Sequence, residues 1–131
     1  MKIVSTEIFL FKIPMTPFTI ATGTMHYAQN MVIKMHTDEG IIGWGECSAF
    51  PIIVGETQLS CYNIAKDFAT YLKGKDPLAI SERLIELDTI IANNYTAKSA
   101  FDLALYDIAA KAADKPLYAF LGGNLNPLKP I

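Results

Sequence analysis

The sequence predicts an α+β fold, in which a three-stranded antiparallel meander is followed by a helical bundle. Before residue 56 the chain is rich in β-branched and aromatic residues in period-two patterns, which are typical of strands. After residue 56, apolar residues recur over long segments at the helical spacing of about 3.6 residues. A length of 131 residues with one such change of pattern indicates a single domain with one core.

The first strand is predicted over residues 2–13, where apolar residues alternate in part on both faces. Pro14 and Pro17 are expected to end it. The segment that follows, residues 17–27, is long for a hairpin connection, rich in hydroxyl groups and apolar. Residues 48–55 form a second apolar loop, and long apolar loops are more often functional or covered by a partner than ordinary turns are.

Residues 30–37 and 41–47 are predicted to pair as a hairpin around the turn signal Asp38-Glu39-Gly40. In the second arm, Gly43 and Gly45 leave one face free for the close approach of another backbone. Together with the first strand, these two arms complete the predicted meander.

Three helices and a short helical turn are predicted after the sheet. Thr57 is expected to cap the first helix, which Lys73-Gly74 ends. Asp76-Pro77 predicts the start of the second helix, because the carboxylate can cap it and proline suits the first helical position. The third helix is predicted over residues 96–113, and the short turn over residues 117–121.

Composition excludes several classes of protein. The chain is 51% apolar and 18% charged, which excludes intrinsic disorder. The net charge of −2, from 11 Lys+Arg and 13 Asp+Glu, indicates neither a nucleic acid nor an anionic membrane as partner. No stretch approaches the roughly 20 apolar residues of a membrane span, and no signal peptide is expected. Cys47 and Cys61 form no metal or redox motif and are expected to be buried, reduced thiols of a cytoplasmic protein.

A search for catalytic side chains finds no complete active site. His26 and His36 have no carboxylate placed to form a metal site with them, and His36 is expected to face solvent. Asp102 and Asp107 are five residues apart on a helix and therefore project in different directions. Glu46, at a strand end, is the best single carboxylate, and a structural hydrogen-bonding role is favoured for it over catalysis.

Four motifs occur in a characteristic order: Gly43-Trp44-Gly45-Glu46, Ser99-Ala100-Phe101-Asp102-Leu103-Ala104-Leu105-Tyr106-Asp107, Lys115-Pro116-Leu117 and Leu121-Gly122-Gly123. In this order and spacing they resemble the N-terminal domain of the enolase superfamily, in its mandelate racemase and muconate lactonizing enzyme branch. The loop that begins at Pro17-Phe18 and the second loop, which ends near Gly55, are similar to those of the dipeptide epimerases of that branch. The resemblance implies a capping domain over residues 1–123 and a linker over residues 124–131.

The resemblance further implies that the domain rests on the mouth of a (β/α) barrel, its own C-terminal domain, and that the full-length protein is an isomerase. In this family the barrel supplies the lysines that exchange the α-proton of the substrate and the acidic residues that hold Mg²⁺. No catalytic residue and no metal ligand is therefore expected in this chain. Families of this kind are commonly homo-oligomeric, so a homo-oligomer is expected.

Substrate choice in this family rests on two loops, which match residues 17–30 and 48–56. Epimerases of the branch that accept Ala-Glu carry an Arg in the first loop, at the position of Gly23. No Lys or Arg lies between residues 13 and 33, and a buried carboxylate without a partner is strongly unfavourable. The expected substrate is a dipeptide with an apolar second residue, bound by Phe18, Gly23, Thr24, Met25 and Ile53.

Two alternatives stay open. Another reaction of the branch, such as muconate cycloisomerisation or o-succinylbenzoate synthesis, would use the same cap with a different barrel. A non-catalytic binding module is the other alternative, and it would bind a ligand without further domains. Lysines on opposite strands of a barrel beyond residue 131 would favour racemisation or epimerisation.

Overall fold

The computed structural model describes residues 1–125; the remainder of the linker predicted over residues 124–131 lies outside the described residues. Three strands precede five helices, which confirms the α+β prediction. The strands are β1 (Ile3–Ile20), β2 (Gly23–Thr37) and β3 (Ile42–Ala49). The helices are α1 (Pro51–Val54), α2 (Gln58–Leu72), α3 (Ile80–Ile90), α4 (Tyr95–Ala112) and α5 (Leu117–Phe120).

The three strands form an antiparallel meander in the order β1-β2-β3, with the predicted turn between β2 and β3. Alternation along β2 buries Met31, Ile33 and Met35, which face the helices. These side chains form one core with residues of α2 and α4, including Phe68 and Phe101, whose rings meet edge to face with their centroids 5.3 Å apart.

The first strand is longer than predicted, because β1 and β2 continue past both prolines to a two-residue turn after Ile20. The expectation of a loop over residues 17–27 is therefore wrong. Since β1 is an edge strand, prolines without an N–H are tolerated in it, and the pairing register shifts between Pro14 and Phe18. Because β3 ends opposite Gln29, residues 14–27 extend beyond it as a two-stranded unit, here called the ribbon.

Helix α4 packs directly on the two glycines of β3, as the sequence predicts. A Cβ atom built on Gly45 would overlap the carbonyl oxygen of Ala100, and one built on Gly43 would overlap that of Ala104. The absence of side chains at these positions therefore allows the helix backbone to lie against the strand. This contact places the N-terminus of α4 beside the end of β3.

Two helix-capping residues were predicted, and one of these predictions is wrong. Thr57 caps α2 through a reciprocal pair of bonds, in which Ser60 N donates to Thr57 Oγ1 at 3.0 Å and Thr57 N donates to Ser60 Oγ at 2.9 Å. Asp76 does not begin the second predicted helix. Its carboxylate accepts from Leu78 N at 2.9 Å in a local turn, and α3 begins at Ile80.

Both cysteines are buried and free, as expected. The hydrogen bond between the Cys47 and Cys61 thiols, together with burial, holds the pKa of Cys47 well above its ordinary value. No helix within residues 1–125 combines the length and apolar character needed to cross a membrane.

Candidate functional site

The ribbon forms one wall of the candidate site. Phe18 pairs with Met25 and Thr19 with Thr24, and the hydroxyl groups of the two threonines are hydrogen-bonded at 2.9 Å. An isolated two-stranded hairpin is marginally stable in water. The position of the ribbon therefore depends on what packs against it.

The ribbon and the chain that leaves β3 enclose a cleft of about 760 Å³. Three of the predicted substrate-binding residues, Phe18, Thr24 and Met25, are in its wall. The other two do not line it: Gly23 lies at the turn of the ribbon, and Ile53 is 62% exposed on α1. The full lining comprises Met15, Phe18, Thr24, Met25, His26, Tyr27, Ala28, Gln29, Ser48, Ala49, Phe50, Pro51 and Ile52.

The described lining of this cleft includes no Lys, Arg, Asp or Glu side chain. Its polar side chains are Thr24, His26, Tyr27, Gln29 and Ser48. A cleft that is mainly apolar, with a few polar groups, suits an uncharged ligand group, because a charge moved into it from water would lose its hydration.

The second wall is the short helical segment that follows β3, here called the α1 segment (residues 50–55). Its hydrogen bonds are internal: the amides of Ile53 and Val54 donate to Phe50 O, and Gly55 N donates to Pro51 O. Residues 51–55 are all exposed. The segment thus presents apolar side chains to solvent beside the cleft. The expectation of a loop over residues 48–55 is wrong, because β3 continues to Ala49 and residues 51–54 form a short helix.

Glu56 directly follows this segment, and the sequence analysis gave it no role of its own. It is 7% exposed, and its carboxylate accepts from Thr96 N at 3.0 Å and from Ala97 N at 3.1 Å. Both donors lie in the first turn of α4. The only sequence signal was an acidic residue directly before a helix cap, and nothing in the local pattern indicates that it serves a helix 40 residues away.

Two polar residues that the sequence analysis considered, Glu46 and His36, lie on the outer face of the sheet and are held by hydrogen bonds. Glu46 Oε1 accepts from Asn30 Nδ2 at 2.6 Å, in line with the favoured structural role. His36 Nε2 lies 2.6 Å from Glu7 Oε1 on this partly exposed face. The hydrogen bond with His36 lowers the pKa of Glu7.

Asp102 and Asp107 do not act together, as expected from their spacing. Asp107 accepts from Trp44 N at 2.8 Å and from Lys111 Nζ at 2.7 Å. It therefore provides a hydrogen-bond acceptor for one backbone amide on the free edge of β3. Asp102 Oδ1 is buried and has no hydrogen-bond partner among the described residues, and desolvation raises the pKa of its carboxyl group.

Magnesium, which the resemblance implies, finds no ligand set here. Within residues 1–125, no three His, Cys, Asp or Glu side chains are grouped so that they could hold a metal ion. The carboxylates of Glu46, Glu56 and Asp107 are already engaged with donors of the protein itself. The described residues therefore do not fit the metal, and no step of a reaction is assigned to a metal that they hold.

An α+β domain with a mainly apolar cleft at the end of its sheet has the features of a domain that binds a ligand or a partner. The chain matches the family described as "Mandelate racemase / muconate lactonizing enzyme, N-terminal domain" over residues 4–122. It therefore belongs to this family, as the sequence motifs predict.

Two similar proteins show how far the likeness extends. The D-Ala-D/L-Ala epimerase of Cytophaga hutchinsonii is 42% identical over 121 residues, which cover 90% of this chain and 33% of the relative. The N-succinyl-L-Arg/Lys racemase of Bacillus cereus is 34% identical over 133 residues, which cover 100% of this chain and 36% of the relative. The chain thus spans about a third of the length of the curated relatives it matches.

A solved structure gives the same result for the fold. The dipeptide epimerase from Cytophaga hutchinsonii, complexed with Mg and the dipeptide D-Ala-L-Val, has a TM-score of 0.94 and 39% sequence identity. The match covers 97% of this chain and 35% of that chain. These values are in accord with the resemblance to dipeptide epimerases stated from the motifs.

Proposed function

We propose that this chain is the substrate-specificity cap of a Mg²⁺-dependent dipeptide epimerase. The full-length enzyme would remove the α-proton of a dipeptide and return it on the opposite face, which makes it an isomerase. The observation that carries the proposal is the mainly apolar cleft between the ribbon and the α1 segment, whose described lining has no Lys, Arg, Asp or Glu. The names D-Ala-D/L-Ala epimerase and dipeptide epimerase, given to similar proteins of Cytophaga hutchinsonii, support it.

The lysines and the metal ligands are proposed to lie in a C-terminal barrel domain on which this chain rests. The share of the relatives left unmatched, about two-thirds of their length, supports a further domain of that size. The Mg named with the dipeptide in the Cytophaga hutchinsonii structure supports the metal. We also propose that the full-length protein is a homo-oligomer and that it is cytoplasmic.

The preferred dipeptide is proposed to have an apolar second residue. Phe18, Thr24 and Met25 of the ribbon would contact its side chain, with Gly23 leaving room and Ile53 approaching as the cap closes. An acidic side chain would meet no Lys or Arg in the described lining. Burying it unpaired is unfavourable, and the D-Ala-L-Val bound by the similar enzyme fits this preference.

A substrate panel with the full-length enzyme tests the proposal. We expect kcat/KM for Ala-Leu and Ala-Val to exceed that for Ala-Glu by at least about 100-fold, since about 2.7 kcal/mol, a modest part of the cost of an unpaired buried charge, corresponds to that ratio. An N-succinylamino acid belongs in the panel because a relative carries that activity in its name. Faster turnover of Ala-Glu would overturn the apolar preference, and faster turnover of the succinylated substrate would overturn the dipeptide proposal.

A further inference from the structure

Glu56 stands at the junction between the α1 segment and the rest of the domain. It directly follows Gly55, which ends the short helix at a φ of 71°. Its carboxylate is turned inward, where its two oxygens take the amides of Thr96 and Ala97 at 3.0 and 3.1 Å. The side chain of Cys61 approaches the same carboxylate, with Sγ 3.8 Å from Oε1. The residue thus joins the wall of the cleft to the start of a helix distant in sequence.

Helix α4 lacks a cap of its own, which makes this contact necessary. Its N-cap residue, Asn94, has a φ of 54° and makes no side-chain hydrogen bond to the helix. The side-chain Nδ2 of Asn94 donates to Ala92 O instead. The first amides of a helix have no partner within it, and a negative charge at this end is favourable. Glu56 supplies both the acceptor and the charge from outside the helix.

The α1 segment has few other restraints. On its N-terminal side, Ala49 is paired with Gln29 in the sheet. Between that pair and Glu56, the backbone bonds at Ile53, Val54 and Gly55 stay within the segment. Its place against the ribbon is therefore determined by its two ends. One is held by the sheet, and the other is held on α4 by Glu56 and on the sheet by Gln58, whose Nε2 donates to Phe11 O at 2.9 Å and to Asn30 O at 2.8 Å.

From this geometry we propose that Glu56 is a positioning residue for substrate specificity. By holding the end of the α1 segment on α4, it keeps Phe50 and Ile52 in the wall of the cleft, opposite Met25 of the ribbon. Glu56 itself does not line the cleft and acts only through these residues. The inference rests on the proposed function, because it assigns the cleft to the substrate.

The test compares Glu56→Gln with Lys98→Met in the full-length enzyme. Gln has the size of Glu but no charge. Its NH₂ group would face one of the two backbone amides, Thr96 N or Ala97 N, that donate to the Glu56 carboxylate, so that one of the two hydrogen bonds would be lost. Lys98 is also in the first turns of α4, where its Nζ donates to Asp88 Oδ1 and Ile91 O, each at 2.7 Å. Its substitution weakens the same end of the helix without contacting the α1 segment, so both variants are expected to have a lower Tm.

We expect Glu56→Gln to raise KM for the best dipeptide by about five- to tenfold, with kcat changed less than about twofold, since loosening a binding wall reduces the binding-competent fraction. Amide exchange of residues 53–55 is expected to quicken in Glu56→Gln alone. Unchanged KM and unchanged exchange in Glu56→Gln, with only a lower Tm, would overturn the proposal, as would equal changes in Lys98→Met.

The exchange measurement needs no substrate, so it separates the two proposals. If the full-length protein turns over no dipeptide, the proposed function fails. Faster exchange at residues 53–55 in Glu56→Gln would then still support the anchoring of the α1 segment, and unchanged exchange would contradict it. KM is in that case measured with whichever substrate the protein does turn over.

Discussion

Gly23 and Thr24 are neighbours in the ribbon, but only one of them can readily carry a long side chain into the cleft. Gly23 has a φ of +142°, a conformation that residues with side chains rarely adopt. Thr24 lines the cleft, and its hydroxyl bonds only to Thr19 at the surface of the ribbon. The position that the resemblance assigns to the Arg of Ala-Glu epimerases is therefore one whose backbone disfavours substitution by a residue with a side chain.

A positive charge at Thr24 should therefore change the substrate preference. In the full-length enzyme we expect Thr24→Arg to raise the ratio of kcat/KM for Ala-Glu over Ala-Leu by about tenfold, or about 1.4 kcal/mol, through a charge-assisted hydrogen bond to the substrate carboxylate. Thr24→Gln is the control, because it loses the same hydroxyl and adds length without charge. An equal change in Thr24→Gln, or none in Thr24→Arg, would contradict this role of the ribbon.

At the scale of the elements, the contact between β3 and α4 connects the sheet to the helices. A methyl group at Gly45 would meet the backbone of Ala100, which cannot move aside as a flexible side chain could. We expect Gly45→Ala to lower the free energy of unfolding of the full-length protein by at least about 2 kcal/mol, the range of overpacked cores. Urea denaturation checks this, with Ser5→Ala at an exposed strand position as the control; equal stabilities would contradict it.

The sequence predicted the elements whose signals are local. Gly43 and Gly45 indicated the close helix contact, and the Thr57 cap set the start of α2, because spacing and side-chain chemistry are enough for both. The ribbon was missed because prolines usually end strands, and only the position of β1 at the sheet edge makes them harmless. The start of α3 was missed because Asp76 can cap a turn as well as a helix.

The candidate site was predictable only in part, for a different reason. Phe18, Thr24 and Met25 were identified from the resemblance, and the structure brings them into one cleft with Phe50. Glu56 was not, since its partners lie 40 and 41 residues further along the chain. A long-range hydrogen bond from a carboxylate to backbone amides leaves no mark in sequence spacing.

At the scale of the whole molecule, large apolar side chains remain exposed where a monomeric domain of this size would be expected to cover some of them. Ile52 and Ile53 are 65% and 62% exposed beside the cleft, and Trp44 and Leu103 are 47% and 46% exposed near the edge of β3. Exposed apolar patches commonly mark surfaces that contact a partner. This distribution supports the proposed barrel domain as the partner at the cleft end.

The central claim is that this cleft selects dipeptides with an apolar second residue for exchange of an α-proton. The most direct measurement gives the full-length enzyme equal amounts of Ala-Leu and Ala-Glu in ²H₂O and follows deuterium at the α-carbons by mass spectrometry. We predict that Ala-Leu gains α-deuterium at least about 100-fold faster, a ratio that corresponds to about 2.7 kcal/mol. Equal or faster labelling of Ala-Glu, or no labelling of either dipeptide, would contradict the account.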